Sequence, residues 1–256
     1  MRISKLSIGA AVVVAAVSFA GSAMAQEGEA SAGGEVGMTL PGAGPGPQAK
    51  ASAGESDHDQ VIGRFGVGYM GAHLVPLADN PDQLAPVIGL RYWLDQGMGL
   101  DVGLGVLNKG GSTKNDPGNT VEDAAIIAGI VHAGVPLALA GGKHFSFQIV
   151  PEANVGFASQ TQKDPPPGSG EDKRTGFMLQ VGARAGGELQ FGFIGVPQLA
   201  LQAGVGLYYT NTSTKSEYTA QGASQTTERT DFEIGTTLAG QPWDIFTSSI
   251  AALYYF

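Results

Sequence analysis

Six charged side chains and one histidine lie in segments in which polar and apolar residues alternate, and each of them occupies a polar position. They share one parity within those segments: Arg64, Arg91, Asp101, His132, Glu152, Arg184 and Glu188. Three arginines and three carboxylates on one face of a sheet predict salt bridges, since an unpaired buried charge is costly. We expect a charge network that fills and closes the space behind this face. A pore lining that confers selectivity is the alternative.

One combination within this set could suggest a nucleophilic triad. His132 and Glu152 share their parity with Ser146, but a triad requires the three side chains within hydrogen-bond reach. The three residues lie on neighbouring segments at unmatched depths, and a lipid hydrolase needs its serine and histidine at a surface that lipid can reach. We therefore predict no catalytic residues and no enzymatic activity. A lipid-modifying enzyme is the least favoured alternative.

Metal and cofactor sites are not expected either. Acidic residues such as Asp79, Asp82 and Asp123 lack the ordered spacing of a calcium-binding loop. The chain has no cysteine, which excludes thiolate ligands and disulfides. Glycine pairs such as Gly103 and Gly105 lie inside an alternating segment with no helix after them, so they do not form a phosphate-binding loop.

The elements that would position these side chains are strands. Alternation is cleanest over 177–191, where odd positions are mostly apolar and even positions include polar residues. Eight segments follow this period to different degrees: 61–72, 85–95, 98–108, 123–139, 145–157, 177–191, 199–209 and 245–256. Short turns alternate with longer polar loops at 73–83, 109–121, 159–173 and from 211 onward, which is typical of a transmembrane barrel.

A ninth alternating segment, 230–238, does not fit an even number of strands. We expect it to pair with an extended 208–218 beyond the membrane, before the chain returns into the closing strand. A ten-stranded barrel is the alternative.

Composition supports a membrane protein built from strands. The 256 residues include 40 glycines and only 14% charged residues. After the first 25 residues, no segment has the roughly 20 unbroken apolar residues of a spanning helix. The formal net charge of −9 argues against nucleic acid as a partner, because phosphate binding requires clustered lysine and arginine.

Aromatic residues fall into two groups along the predicted strands. One group lies near the end that carries the short turns: Phe65, Tyr92, Phe145, Phe147, Phe191, Tyr254 and Phe256. The other lies toward the long loops: Tyr69, Phe157, Phe177, Tyr209 and Phe246. Two such girdles are expected where a barrel crosses both interfaces of a bilayer.

Both ends of the chain carry targeting patterns. Residues 1–25 combine Arg2 and Lys5 with an apolar stretch and a small-residue cleavage pattern, which predicts a secretory signal peptide. Residues 26–60 are rich in Gly, Ala, Pro and Glu and predict a disordered periplasmic leader. At the other end, Ala252, Tyr254 and Phe256 alternate to a final aromatic residue.

Residues 61–256 resemble the small single-domain outer-membrane β-barrels, of the OmpA-like transmembrane-domain and OmpW-like type. The most specific part of this resemblance is the C-terminal run 252–256, which resembles the signal read by the barrel-assembly machinery of Gram-negative bacteria. The resemblance implies an all-β, closed antiparallel barrel in the bacterial outer membrane.

We expect a monomeric structural or surface-interaction protein of the cell envelope. Its expected partners are outer-membrane lipid, lipopolysaccharide and, during biogenesis, the assembly machinery. A narrow channel or lateral-exit passage for small hydrophobic molecules is the alternative.

Overall fold

The computed structural model describes residues 56–115, 119–163, 170–237 and 250–256. The predicted signal peptide, most of the predicted leader, and Phe246 lie outside these residues. Among the described residues, no helix is long and apolar enough to cross a membrane. The strands are β1 (Phe65–Leu77), β2 (Asn80–Trp93), β3 (Gly99–Lys109), β4 (Ser112–Asn115), β5 (Asn119–Glu122), β6 (Ala125–Gly134), β7 (Leu137–Gly141), β8 (Phe145–Lys163), β9 (Glu171–Phe191), β10 (Val196–Ala220), β11 (Ala223–Thr236) and β12 (Ile250–Tyr255). Two 3₁₀ turns cover Asp59–Val61 and Gly192–Ile194.

Eight antiparallel strands close into a ring. From β1 the pairing runs through β2, β3, β6, β8, β9 and β10. β12 then joins β10 back to β1, which closes the ring. The eight segments of the ring are those predicted from alternation, although several strands extend well into the predicted loops. We call the inside of the ring the lumen, the end with the turns at 94–98, 142–144 and 192–195 the short-turn end, and the opposite end the loop end.

Polarity in this ring is the reverse of that in a soluble protein. Large apolar side chains point away from the lumen and are exposed, as in Leu104 (62%) and Leu207 (57%). Charged side chains point inward and are buried, as in Arg91 (0%) and Glu188 (0%). The two-residue period of a strand produces this separation directly from the alternating sequence.

β7 continues β6 after a break at Val135 and Pro136. β6 and the start of β7 pair with β8 in one register, with Gly134 opposite Glu152 and Leu137 opposite Ile149, before the register shifts between Ala138 and Ala140. Pro136 has no N–H to donate to the ladder, which accounts for the interruption at this point. β6 and β7 therefore form one strand of the ring.

β11 lies outside the ring and pairs with β10 alone among the described strands. Leu207 to Ala220 of β10 face Thr236 to Ala223 of β11, joined by a tight turn at Gln221 and Gly222. This arrangement confirms the prediction that the ninth alternating segment pairs with an extended β10. β8, β9, β10 and β11 extend together at the loop end, where Lys163 pairs with Glu171 and Glu171 with Thr219. We call this extension the projection.

The loop-end halves of β1 and β2 leave the wall and cross the lumen. β12 pairs with β1 over Gly66–Tyr69, and the ladder between β1 and β2 has a bulge between Tyr69 and Ala72, where Gly71 has φ +99°. Beyond this bulge β1 contacts β8 and β9, which stand across the ring from it. The predicted loop 73–83 is therefore a hairpin folded over the lumen.

This hairpin packs closely against the opposite wall. Val75 and Leu77 are 0% and 3% exposed. A Cβ on Gly156 would lie 3.0 Å from a methyl group of Val75, and one on Gly176 would overlap the carbonyl oxygen of Pro76. Glycine at these two positions of β8 and β9 lets the hairpin reach the wall.

The chain before β1 covers the short-turn end. Asp57 accepts a hydrogen bond from His144 (2.6 Å), and the ring of His58 stands edge-on to Trp93, with 4.4 Å between centroids. Asp57 and His58 are 3% and 8% exposed. Residues 56–60 were predicted to belong to a disordered leader, and here they are ordered and packed. Their two buried polar side chains, which composition does not reveal, account for the difference.

Candidate functional site

Six of the seven predicted lumen residues are buried inside the ring: Arg91, Asp101, His132, Glu152, Arg184 and Glu188. The placement of Arg64 was wrong, because it is exposed and precedes the first residue of β1. Gly63 beside it has φ +72°, so the alternation of the strand does not extend back to Arg64. The six buried residues form three layers, which we describe from the short-turn end upward.

The lower layer is centred on Arg91 of β2. Its Nε and Nη2 donate to both carboxylate oxygens of Asp101 at 2.7 and 2.6 Å, and its Nη1 donates to Glu188 at 2.6 Å. Nη2 also donates to Gln202 (2.9 Å) and Nη1 to Gln148 (3.5 Å). All five N–H groups of the guanidinium are therefore used.

An aromatic floor lies below this layer. The guanidinium carbon of Arg91 is 5.8 Å from the ring centroid of Trp93, within cation–π range. The indole N–H of Trp93 donates to the hydroxyl of Tyr255 at 3.1 Å, and both rings are fully buried. The floor therefore closes the lumen where the short turns meet.

The middle layer joins β8, β9 and β10. Arg184 forms an ion pair with Glu152 at 3.2 Å, and the hydroxyl of Tyr208 donates to the other oxygen of Glu152 at 2.6 Å. All three residues are buried, with Tyr208 the most exposed at 8%. The two lower layers thus contain two arginines and three carboxylates.

The upper layer is a chain of amides that ends on histidine. Gln180 donates to Thr210 (3.1 Å), Asn154 donates to Gln180 (3.0 Å), and Nδ1 of His132 lies 2.8 Å from the amide oxygen of Asn154. Because the Asn154 nitrogen is already a donor, His132 must donate from Nδ1. The ring of His73 stacks on that of His132, with centroids 6.0 Å apart.

The structure separates the residues that could have formed a triad. Nδ1 of His132 is hydrogen-bonded to Asn154, and the Ser146 hydroxyl accepts from Gln148 at 2.9 Å. Glu152 binds Tyr208 and Arg184 in the middle layer. Nε2 of His132 has no hydrogen-bond partner, so no hydrogen bond links it to Ser146. Within the described part of the chain, no three His, Asp or Glu side chains are grouped as metal ligands.

Two levels of aromatic side chains surround the outside of the ring. On β8, Phe145 (47% exposed) lies at the short-turn end and Phe157 (54% exposed) toward the loop end. Twelve residues separate them, which corresponds to about 30 Å along the axis at ~3.3 Å per residue and a tilt of about 40°. Phe157 is opposite Phe177 in the next strand, so the upper level continues from β8 to β9.

The remaining predicted girdle residues lie on, or directly after, six strands of the ring: β1, β2, β8, β9, β10 and β12. Phe65 and Tyr92 are cross-strand partners with ring centroids 4.7 Å apart, and Tyr254 and Phe256 lie side by side at 6.1 Å. The others are partly or largely exposed: Tyr69, Phe147, Phe191 and Tyr209. The predicted assembly-signal residue Ala252 pairs with Tyr69 on one side and with β10 on the other.

Several lumen residues were missed from the sequence. Gln148, Gln202 and Tyr208 share the inward parity of their strands, and that parity could have identified them. His73 gave no such signal, because it follows a bulge and lies in a stretch that reads as a polar loop. Its position depends on a fold of the β1–β2 hairpin that local periodicity does not encode.

Comparison with known proteins adds little. No known protein family and no curated protein matches the chain. One similar solved structure is a major outer membrane protein from Thermus thermophilus, with 12% identity, coverage of 75% of this chain and 98% of that chain, and a TM-score of 0.36. A TM-score this low carries no argument about the present chain.

Proposed function

We propose that this chain is an integral outer-membrane β-barrel protein. One observation carries the proposal: the ring buries arginines and carboxylates in its lumen and exposes Leu, Val, Ile and Phe around its outer face. In water such a surface would drive association, whereas in lipid it is the surface that a spanning strand requires. In the short-turn half of the ring, each described strand is paired on both sides, as a sheet that crosses the hydrocarbon region requires.

The spacing of the aromatic levels supports the same proposal. A separation of about 30 Å is close to the thickness of a hydrocarbon core, and aromatic rings favour its two interfaces. In this orientation the short-turn end faces the periplasm, and the projection of β8 to β11 faces the exterior.

We further propose that the barrel is closed and serves a structural or surface-interaction role. The charge network, the aromatic floor and the folded hairpin together fill the lumen. Outer-membrane lipid and lipopolysaccharide would contact the ring, and the assembly machinery would insert it as a monomer. Any partner at the cell surface would meet the exposed polar strands of the projection.

Fractionation and gel mobility test this proposal. Protein extracted from the outer-membrane fraction should run faster unheated than boiled, because a closed barrel stays compact in detergent. Planar bilayers should show no steady openings at neutral pH. Recovery from the soluble periplasm without a mobility shift would contradict the membrane assignment, and steady conductance would contradict the closed lumen.

A lateral passage for small hydrophobic molecules is a second candidate. It is favoured by the departure of the loop-end halves of β1 and β2 from the wall, since 80–86 of β2 pairs with β1 and not with β3. Leu74 and Leu84 on this hairpin are exposed and apolar. Uptake of a hydrophobic fluorophore into vesicles containing the protein would support this candidate, and uptake equal to that of empty vesicles would exclude it.

A further inference from the structure

Two histidines lie where the β1–β2 hairpin meets the wall: His73 is half-buried and His132 is buried. His73 belongs to the hairpin, beyond the bulge of β1, and His132 belongs to β6 in the wall. Their rings are nearly parallel, at 25°, with centroids 6.0 Å apart. Any charge on both rings would therefore act directly between the hairpin and the wall.

Each ring has a free position for a proton. Nε2 of His73 and Nε2 of His132 are buried and have no hydrogen-bond partner. Since His132 donates from Nδ1 to Asn154, its neutral ring carries the lone pair on Nε2. A proton added at Nε2 of His132 would therefore break no hydrogen bond.

The surrounding charges can balance one added proton but not two. The charged and titratable groups that face His73 are His132, Glu152 and Arg184. Glu152 already forms an ion pair with Arg184 and accepts a hydrogen bond from Tyr208. The other two lumen carboxylates, Asp101 and Glu188, form ion pairs with Arg91. Two arginines against three carboxylates leave one negative charge, which the first proton neutralises. The second proton leaves an uncompensated cation beside Arg184.

The hairpin has the features of an element that can move as a unit. Its ladder is internal, from Ala72–Pro86 to Leu77–Asn80. It meets the opposite wall through apolar side chains and backbone and, at its tip, through Nη1 of Arg174, which donates to the carbonyl oxygen of Asp79 at 3.2 Å. Gly71, at the bulge, has a φ of +99° that other residues rarely adopt, and this position marks the hinge.

We propose that protonation of His73 and His132 releases the β1–β2 hairpin from β8 and β9, which makes the hairpin an acid-opened lid over the loop end of the lumen. The repulsion develops between a residue of the lid and a residue of the fixed wall, and it opposes apolar contacts that protonation does not change.

A single-cysteine reporter tests this proposal, because the chain has no cysteine of its own. Ala78 lies at the tip of the hairpin and is 6% exposed, so Ala78→Cys should react slowly with a methanethiosulfonate reagent at neutral pH. Ser224→Cys, at an exposed position near the start of β11, corrects for the effect of pH on the thiol itself. The ratio of the two rates should rise by about tenfold or more as the pH falls from 7 to about 4.

Variants of the two histidines distinguish opening of the lid from other effects of low pH on the protein. His73→Phe and His132→Phe keep a ring in place and should abolish the rise of the reaction-rate ratio at low pH. His73→Gln and His132→Gln serve the same purpose if the phenylalanine variants do not show a heat-modifiable band. His144→Phe, at the short-turn end, should leave the rise intact. An unchanged ratio in the parent reporter, or a full rise in the double His73/His132 variant, would overturn the proposal.

Discussion

Arg91 illustrates at the level of one residue how this lumen is specified. It is the direct cross-strand partner of Asp101, and it reaches Glu188 and Gln202 on the far side of the ring. A guanidinium can satisfy so many acceptors only in one strand register, because a slip by one residue would turn it outward. Arg91 therefore links the register of β2 and β3 to the closure of the ring.

Replacing Arg91 by methionine should destabilise the folded protein by about 3–5 kcal/mol, because Asp101 and Glu188 would remain buried without a counter-charge. The measurement is the temperature at which the fast-running unheated band is lost. Arg229→Met provides a matched control, since Arg229 also pairs with an aspartate but its side chain is 74% exposed.

The triple variant Arg91→Met, Asp101→Asn and Glu188→Gln distinguishes an unpaired charge from lost packing. Removing both carboxylate charges should restore much of the stability that Arg91→Met loses. Equal melting of the Arg91 and Arg229 variants would show that the lower layer does not stabilise the barrel.

At the level of elements, local periodicity accounts for the wall and fails at the hairpin. Eight alternating segments were sufficient to predict eight strands, because inside and outside differ so strongly in polarity. Residues 73–83 contain Pro76, Asp79 and Asp82 and read as a loop, yet most of them belong to β1 and β2. Their position is decided by backbone contact with glycines of β8 and β9, which pair across about 80 to 100 residues of sequence and leave no local pattern.

Gly176→Ala should weaken this hairpin contact. The added methyl group would overlap the backbone of Pro76, so the hairpin must shift, at a cost of about 1–3 kcal/mol. The Ala78→Cys reporter should then react faster at neutral pH. Gly142→Ala is the control, because a Cβ at that turn meets nothing within 4 Å. Equal reactivity in the two variants would mean that the hairpin does not rest on Gly176.

At the level of the whole molecule, the medium around the outer face, water or lipid, decides which substitutions the protein tolerates there. Leu104 is 62% exposed near the middle of β3, with Ile88 and Val131 beside it on neighbouring strands. In water, a lysine at such a site would be harmless or helpful. In a bilayer, a lysine near the midplane costs about 2–4 kcal/mol.

Leu104→Lys should therefore reduce folding into lipid vesicles, measured as the fraction of heat-modifiable protein. Ser224→Lys adds the same charge at an exposed position near the start of β11 and should fold as the parent does. If both lysine variants fold equally well, the apolar outer face does not contact lipid.

The wall of the ring is unevenly joined, and this has a mechanical consequence. β2 is joined to β3 from Val87–Gly105 to Trp93–Gly99, whereas β9 and β10 stay paired from Leu189–Leu201 to Glu171–Thr219. Under a pulling force, short ladders of hydrogen bonds rupture before long ones. When a single molecule is stretched, the ladder between β2 and β3 should rupture before the ladder between β9 and β10.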